Sequence, residues 1–388
     1  MPFVSFVVKK TALLKILHFS DTHLGYNELD KIGSNGINIR EQDFYDSFIY
    51  VIDKILEIKP DVVVHAGDFF HRPSPPNRPI TVALQQLKRL SDADIPIVII
   101  AGNHETPRSI YTAPILKAFN TIPNVYAIFG QEYETHEFGE LVVHGLPHVN
   151  NPKALEAELD KIQPVKNKFN IIMLHTAFDG YMTDEYGQQV FPEERLKILN
   201  QFDYVALGHI HNFQKVKGLE TAWYCGSTER TSVSQIPEKV FCTLDLEKGK
   251  TAEPTTHAIP TRTWLRFDIK KCKDKKVAEI EEELLAKANE NNLEGALIFI
   301  EFQNIAPMQA VTLSNRRVHE LLPGCLDIQI KRTTESVAEK GRFSDFRVES
   351  LNDLISDYIK TEVDDEGKAE ALIDKAKYYI DLYESGDV

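Results

Sequence analysis

From Lys15 to about Leu246, short apolar runs alternate with stretches of helical periodicity. The runs Ile16–Ser20, Val62–Ala66, Ile97–Ala101, Leu141–Gly145, Ile171–His175, Tyr204–Leu207, Ala222–Cys225 and Val240–Leu246 are rich in Val, Ile and Leu. Several lack apolar–polar alternation, which predicts strands covered on at least one face by helices. The clearest helix spans Glu41–Ile58, with Phe44, Phe48, Val51, Ile52, Ile55 and Leu56 on one face and Pro60 ending it. A second runs through Ile80–Leu90. Two loops interrupt the alternation: Gly25–Arg40, which contains Gly and Asn, and the proline-rich His71–Pro79.

The rhythm changes near Thr261. Strands Trp264–Ile269, Ala296–Phe302 and Leu326–Lys331, with helices Val277–Ala288 and Val311–Leu322 between them, predict a small α+β unit. A charged connector, Arg332–Arg347, leads to two short amphipathic helices broken at Asp364–Gly367. One carries Leu351, Leu354, Ile355, Tyr358 and Ile359, the other Leu372, Ile373, Ala376, Ile380 and Tyr383. A lone pair of short helices buries little apolar area, so the stripe must dock, either on this chain or in a partner's groove. These shifts divide the chain into residues 1–260, 261–335 and 336–388.

A chain of 388 residues suits two or three such units, and its 43% hydrophobic and 26% charged composition is that of a globular protein. No apolar stretch has the length of a membrane span, and Met1–Leu14 lacks the order of a signal peptide, so a cytoplasmic location is expected, at the nucleoid if the source is prokaryotic. Net charge is −14, which argues against nonspecific nucleic-acid affinity. Residues 348–388 alone carry −8 of it, leaving −6 on the rest. Cys225, Cys242, Cys272 and Cys325 are widely spaced, with no C-x-x-C pair. Buried inert thiols are expected, without a disulfide framework or a structural zinc site.

Against this background one set of residues carries chemistry. Asp21 and His23, Asp68, Asn103 with His104, His175, and His209 with His211 each sit at or just after the end of a predicted strand. Strand ends are where open α/β sheets place ligands. Mixed N and O donors in this number suit a pair of divalent cations, the clamp used to cleave phosphate esters. Asp68 is the natural bridge, and Gly67 lets the backbone come close. Asp21 and His23, two apart, are expected to point the same way from an extended backbone, as are His209 and His211. His104, beside Asn103, would not ligate; it would protonate the leaving group or stabilise the charged transition state. Only neutral imidazole binds metal, so affinity should fall below about pH 6. His71 is expected to face substrate. His18 and His65, inside strands, read as packed, and His136, His144, His148, His257 and His319 have no partner pattern.

These groups match the five motifs of the calcineurin-like metallophosphoesterases: Asp21-Thr22-His23, Gly67-Asp68, Gly102-Asn103-His104, His175 and Gly208-His209-Ile210-His211. Within that superfamily the chain resembles the double-strand-break repair nucleases called SbcD in bacteria and meiotic recombination eleven in archaea and eukaryotes. The stretches His18–Tyr26, Gly67–His71 with the Pro/Ser run after it, Ala206–His211 and Tyr224–Arg230 carry the resemblance, and Arg40 before Asp43-Phe44 fits it. Glu105 departs from it, since many relatives have Asp there, and the loop Asn27–Ile39 is long.

The resemblance implies an α/β metallophosphoesterase sandwich of two mixed β-sheets flanked by helices. It further implies a small α+β DNA-capping domain and a C-terminal helix pair that binds an SMC-like coiled-coil ABC ATPase of the SbcC type. Asp21, His23, Asp68 and His211 would hold one Mn2+, and Asp68, Asn103, His175 and His209 the other, with Mg2+ or another divalent ion as possible substitutes. His104 would be catalytic, and His71 and Arg40 would contact substrate. Homodimers, exonuclease action on double-stranded ends and endonuclease action on single-stranded or hairpin DNA are implied too. Two rivals remain. A phosphoprotein or small-phosphodiester phosphatase would use the same ligands, but phosphoprotein phosphatases carry an Asp-Arg-Gly run where Phe70-His71-Arg72-Pro73 stands. A non-catalytic scaffold would have lost ligands, and none is lost here.

Overall fold

The structure is a computed structural model that describes residues 13–109, 111–178, 180, 189–235 and 237–334, with 359, 368, 372, 373, 375 and 376 beyond them. It divides into a unit ending at Arg332 and a second from Thr333 onward.

In the first unit, two six-stranded sheets lie face to face. One contains β1 (Leu14–Phe19), β2 (Val62–His65), β3 (Ile97–Ile100) and β4 (Val125–Ile128). The other contains β5 (Glu134–Phe138), β6 (Leu141–Leu146), β7 (Phe169–His175), β8 (Tyr204–Gly208), β9 (Gln214–Lys215) and β10 (Ala222–Tyr224). The chain then returns to the first sheet as β11 (Val240–Leu246) and β12 (Thr255–Ala258). The orders are β12-β11-β1-β2-β3-β4 and β5-β6-β7-β8-β10-β9. β1 to β4 pair in parallel, while β11 pairs antiparallel to β1, with His18 opposite Cys242. Both sheets are mixed, as the sequence resemblance implied.

Each inner strand serves two cores, which explains its unbroken apolar run. Ile16, Val62, Val64, Val98 and Ile100 meet Val143, Ile171, Met173, Tyr204 and Ala206 between the sheets. The intervening Leu17, Val63, Ile97 and Ile99 pack outward with Phe48, Val51, Ile52 and Ile55 of α1 (Ile39–Ile58) and Leu87 and Leu90 of α2 (Asn77–Asp92). On the second sheet Ile172, Leu174, Val205 and Leu207 face a third cluster with Leu155 and Leu159 of α3 (Pro152–Leu159). Each such side chain contributes about 1.5–3 kcal/mol on burial, which holds these strands in register and so sets where their ends lie.

Local signals set the boundaries. The Asn38 side chain caps α1 by accepting from the N–H groups of Arg40 and Glu41, and Lys59 closes it in a left-handed conformation before Pro60. The proline-rich loop is shorter than predicted: α2 starts at Asn77 and takes Pro79 into its first turn. Proline is tolerated there because the first N–H groups have no partner within a helix. β4, β5, β9 and β12 were not predicted; β5 (Glu-Thr-His-Glu-Phe) and β12 (Thr-Thr-His-Ala) are polar edge strands without an apolar signal.

A three-stranded sheet follows, β13 (Trp264–Ile269), β14 (Leu297–Gln303) and β15 (Asp327–Thr333), in that order. It has its own core of Phe267, Ile269, Ile298, Ile300 and Phe302 against Ile280 and Leu284 of α4 (Val277–Asn289). The helix expected over Val311–Leu322 is two helices, Pro307–Thr312 and Asn315–Leu321. Leu313 turns inward to full burial, and Ser314 caps the second helix by accepting from Arg317 N, which breaks the periodicity. The predicted C-terminal helix pair falls mostly outside the described residues; residues 359, 368, 372, 373, 375 and 376 are helical.

Arg40 ties this sheet to α1. The Asp43 carboxylate accepts from Arg40 at 2.5 Å and from Arg262 Nε and Nη2 at 2.6 Å each. Arg40 is 1% exposed, reaches Arg230 O at 2.5 Å and Glu229 at 3.6 Å, and lies 5.4 Å from the Trp264 ring. The structure places Arg40, expected to contact substrate, buried in this junction and committed to these partners. Asp43→Ala should lower the unfolding free energy by about 3 kcal/mol, because it strips a buried guanidinium of its nearest counter-charge. Urea denaturation measures this.

Candidate metal centre

The expected residues converge at the carboxyl ends of β1, β2, β3, β7 and β8. Backbone bonds lock the first two together past their ends: Asp21 N donates to Gly67 O and His23 N to Asp68 O, both at 3.0 Å. The backbone here is not extended, contrary to expectation. Asp21, His23, Asp68 and His209 have φ of 51°, 45°, 53° and 93°. Left-handed non-glycine residues cost on the order of 1–3 kcal/mol each and persist where surrounding structure imposes them, often at functional sites. Gly102 is required for a related reason: a Cβ there would lie 2.1 Å from Asp68 Oδ1.

Asp68 is fully buried at the centre. Its Oδ1 accepts from His104 N at 3.0 Å. No donor other than imidazole reaches its Oδ2, which lies 3.2 Å from His175 Nε2 and 3.7 Å from His23 Nε2. On one side His23 Nε2 and His211 Nε2 stand 3.0 Å apart, with Asp21 in the same cluster. On the other, Asn103 Oδ1 lies 3.0 Å from His175 Nε2 and 3.2 Å from His209 Nδ1. The residues thus fall into two groups that share Asp68.

This arrangement calls for cations. His175 Nδ1 lies 2.9 Å from Ala66 O, an acceptor, so Nδ1 carries the proton and Nε2 offers a lone pair. That lone pair points at two oxygens, Asn103 Oδ1 and Asp68 Oδ2, which only a positive charge between them reconciles. In the absence of an ion a proton does so: burial pulls the His175 pKa down, but Asp68 and Asp21 overcome this and lift it to about 9. For Asp68, burial pushes upward, and His175, His104 and His23 outweigh it, holding the carboxyl well below its ordinary value. Burial holds His23 well below the ordinary value too, leaving it neutral as a ligand must be. N and O donors with two carboxylates fit borderline divalent ions of the Mn2+ or Zn2+ kind.

His104 sits at the mouth. Its Nδ1 lies 3.0 Å from His71 O, and its Nε2 is 4.0 Å from Asp68 Oδ2. The His71 ring is 5.2 Å from that of His104. A cavity of about 670 Å3 opens beside them, lined also by Arg72, Ser74, Arg108 and Thr112.

Other residues that the sequence did not mark as ligands support the centre. Ser20 Oγ donates to Asp21 Oδ2 at 2.7 Å. Gln235 Nε2 lies 2.7 Å from His211 Nδ1, and Lys239 Nζ donates to His211 O at 2.6 Å. Only the fold brings residues 24 and 28 positions away under His211. Glu105, the departure from the family pattern, is buried: its Oε1 accepts from Phe69 N at 3.0 Å, and its Oε2 has no partner.

Residues 14–213 match the calcineurin-like phosphoesterase family, and the chain belongs to it. The chain is also similar to DNA double-strand break repair proteins Mre11, in line with the resemblance read from its motifs. That of Methanococcus maripaludis is 33% identical over 58% of this chain and 60% of its own length. That of Sulfurisphaera tokodaii is 35% identical over 51% and 49%. That of Sulfolobus acidocaldarius is 28% identical over 89% and 90%. The chain thus spans between half and nine-tenths of these relatives.

Burial, and after it the Asp68 charge, lift the Glu105 pKa to about 8. The folded state therefore holds a proton that the unfolded state has lost above its ordinary value of 4.5, and stability falls as pH rises from there through 8. Glu105→Gln mimics the protonated form. In chelator it should match the parent near pH 5 and exceed it by about 2–5 kcal/mol near pH 9, read from paired denaturant titrations.

Proposed function

We propose that this protein is a Mn2+-dependent DNA nuclease of double-strand-break repair, cleaving phosphodiesters at the centre built around Asp68. The carrying observation is the buried Asp68 Oδ2, met only by imidazoles and set between two groups of N and O donors beside an open cavity. Two divalent ions there would supply an attacking water of lowered pKa and neutralise charge on the phosphoryl oxygens. Asp21, His23, Asp68 and His211 would hold one, and Asp68, Asn103, His175 and His209 the other.

The protein's own groups then have separate tasks. His104, oriented through Nδ1 by His71 O, presents Nε2 toward the reacting phosphate and can deliver a proton to the leaving alkoxide. Arg72 and Arg108 line the approach and match a polyanion. The relatives named for DNA break repair support DNA as that polyanion, acted on at double-stranded ends by exonuclease cleavage and in single strands or hairpins by endonuclease cleavage. We assign residues 1–260 to the nuclease domain, 261–335 to a capping domain that helps grip DNA, and 336–388 to a linker and helix pair docking on an SMC-like ABC ATPase. The amphipathic stripe from Leu351 to Tyr383 supports that docking, and family resemblance supports a homodimer. No helix of the described residues is long and apolar enough to cross a membrane.

Purified protein with Mn2+ should degrade double-stranded DNA ends while hydrolysing p-nitrophenyl phosphate poorly; robust monoester turnover without DNA degradation rejects the nuclease reading. His104→Ala should retain both ions by elemental analysis and lose about 10²-fold or more in kcat. Truncation after Arg347 should abolish co-purification with the ATPase and leave Mn2+-dependent cleavage intact.

A further inference from the structure

The sequence spacing of the cysteines suggests inert thiols, but the fold brings two of them together with a histidine. Cys225 follows β10 in one sheet and Cys242 lies in β11 of the other. Their sulfurs are 3.7 Å apart. His18, paired with Cys242 across β1 and β11, turns its Nδ1 to 3.8 Å from Cys242 Sγ. Tyr204 of β8 closes the group, its Oη 3.0 Å from His18 Nδ1 and 3.8 Å from Cys242 Sγ. All four side chains are fully buried.

We propose that His18 Nδ1, Cys225 Sγ, Cys242 Sγ and Tyr204 Oη form a second, buried site for one thiophilic divalent cation of the Zn2+ class, pinning the two sheets together. Three observations carry it. The first is distance. Tetrahedral zinc, with Zn–S of about 2.3 Å and Zn–N of about 2.0 Å, sets two sulfurs about 3.8 Å apart and a sulfur about 3.5 Å from a nitrogen. The observed 3.7 and 3.8 Å lie close to both. The second is donor type: two thiolates and an imidazole select zinc-like ions, whereas the Asp/Asn/His set around Asp68 suits Mn2+. The third is charge. Two thiolates and one divalent ion sum to zero, so burial at the seam leaves no uncompensated charge. The environment by itself favours one thiolate of the pair: burial pushes Cys242 up, but hydrogen bonds from Cys225, His18 and Tyr204 pull it down to about 5, while burial holds Cys225 well above its ordinary value, so the second proton leaves only to the ion's charge.

The balance is simple. On binding, each Cys gives up its S–H proton to solvent, and the ion takes the lone pairs of two sulfurs, one imidazole nitrogen and the phenol oxygen. Because the cage is buried, the ion enters as the chain folds. The site lies under the phosphoesterase centre. Cys225 precedes Gly226, whose carbonyl accepts from Ser20 Oγ at 3.0 Å, the hydroxyl that also holds Asp21. An ion at the seam would therefore steady Asp21 from below without touching substrate.

The test uses the full chain produced in cobalt-supplemented medium, with metal content and absorption measured together. Cobalt held by N and O donors absorbs weakly, whereas thiolate-bound cobalt gives an intense charge-transfer band in the near ultraviolet. One equivalent of thiolate-bound Co2+ is expected, resistant to dialysis against a chelator that empties the Asp68 centre. The band should persist in Cys325→Ser and His104→Ala and vanish in Cys225→Ser/Cys242→Ser. Folded parent protein without the band overturns the proposal, whatever the variants do, and so does a band that survives in the double variant. Thiol titration of the denatured, unreduced chain is an independent check: four free thiols are expected once the metal is removed, and only two would mean a disulfide and reject the site.

Discussion

The architecture around the centre depends on one buried carboxylate. Asp68 Oδ1 is satisfied by the His104 amide, and Oδ2 faces only imidazole nitrogens. A buried acceptor of this kind is costly unless a positive charge meets it. The left-handed backbone at Asp21, His23, Asp68 and His209, and the glycine at 102 that lets Asp68 in, are tolerated because they serve that convergence.

The sandwich supplies the rigidity that such convergence needs. Inner strands bury both faces, so a strand cannot slip without exposing an entire row of Val and Ile. With their registers held, the ends of β1, β2, β3, β7 and β8 meet at one edge. The second layer of contacts belongs to the same logic: Ala66 O selects the His175 tautomer, His71 O orients His104, and Gln235 with Lys239 supports His211. The seam between the sheets repeats the theme with softer donors, where His18, Cys225 and Cys242 meet three residues before Asp21.

Much of this was legible in the residues. The apolar runs of β1, β2, β3, β6, β7, β8, β10 and β11 gave their positions to within a residue or two, because burial on both faces leaves no polar gap. β5 and β12 escaped notice because edge strands with polar sequences resemble loops. The helix over Val311–Leu322 was misread as continuous, since Leu313 fits an apolar stripe while Ser314 restarts the backbone bonding. Arg40 matched a family pattern, and its burial beside Asp43 and Trp264 is a contact that no local pattern shows.

The sequence by itself determined the kind of chemistry. Metal-ligand residues at successive strand ends, each with glycine or a small residue beside it, are local signals that any chain segment carries on its own. The tertiary structure alone decided which donors face each other, that Asp68 stands between two groups, that Glu105 is buried beside them and that Cys225 meets Cys242. Those are distances between residues far apart in the chain, set by sheet order and packing, and no local pattern encodes them.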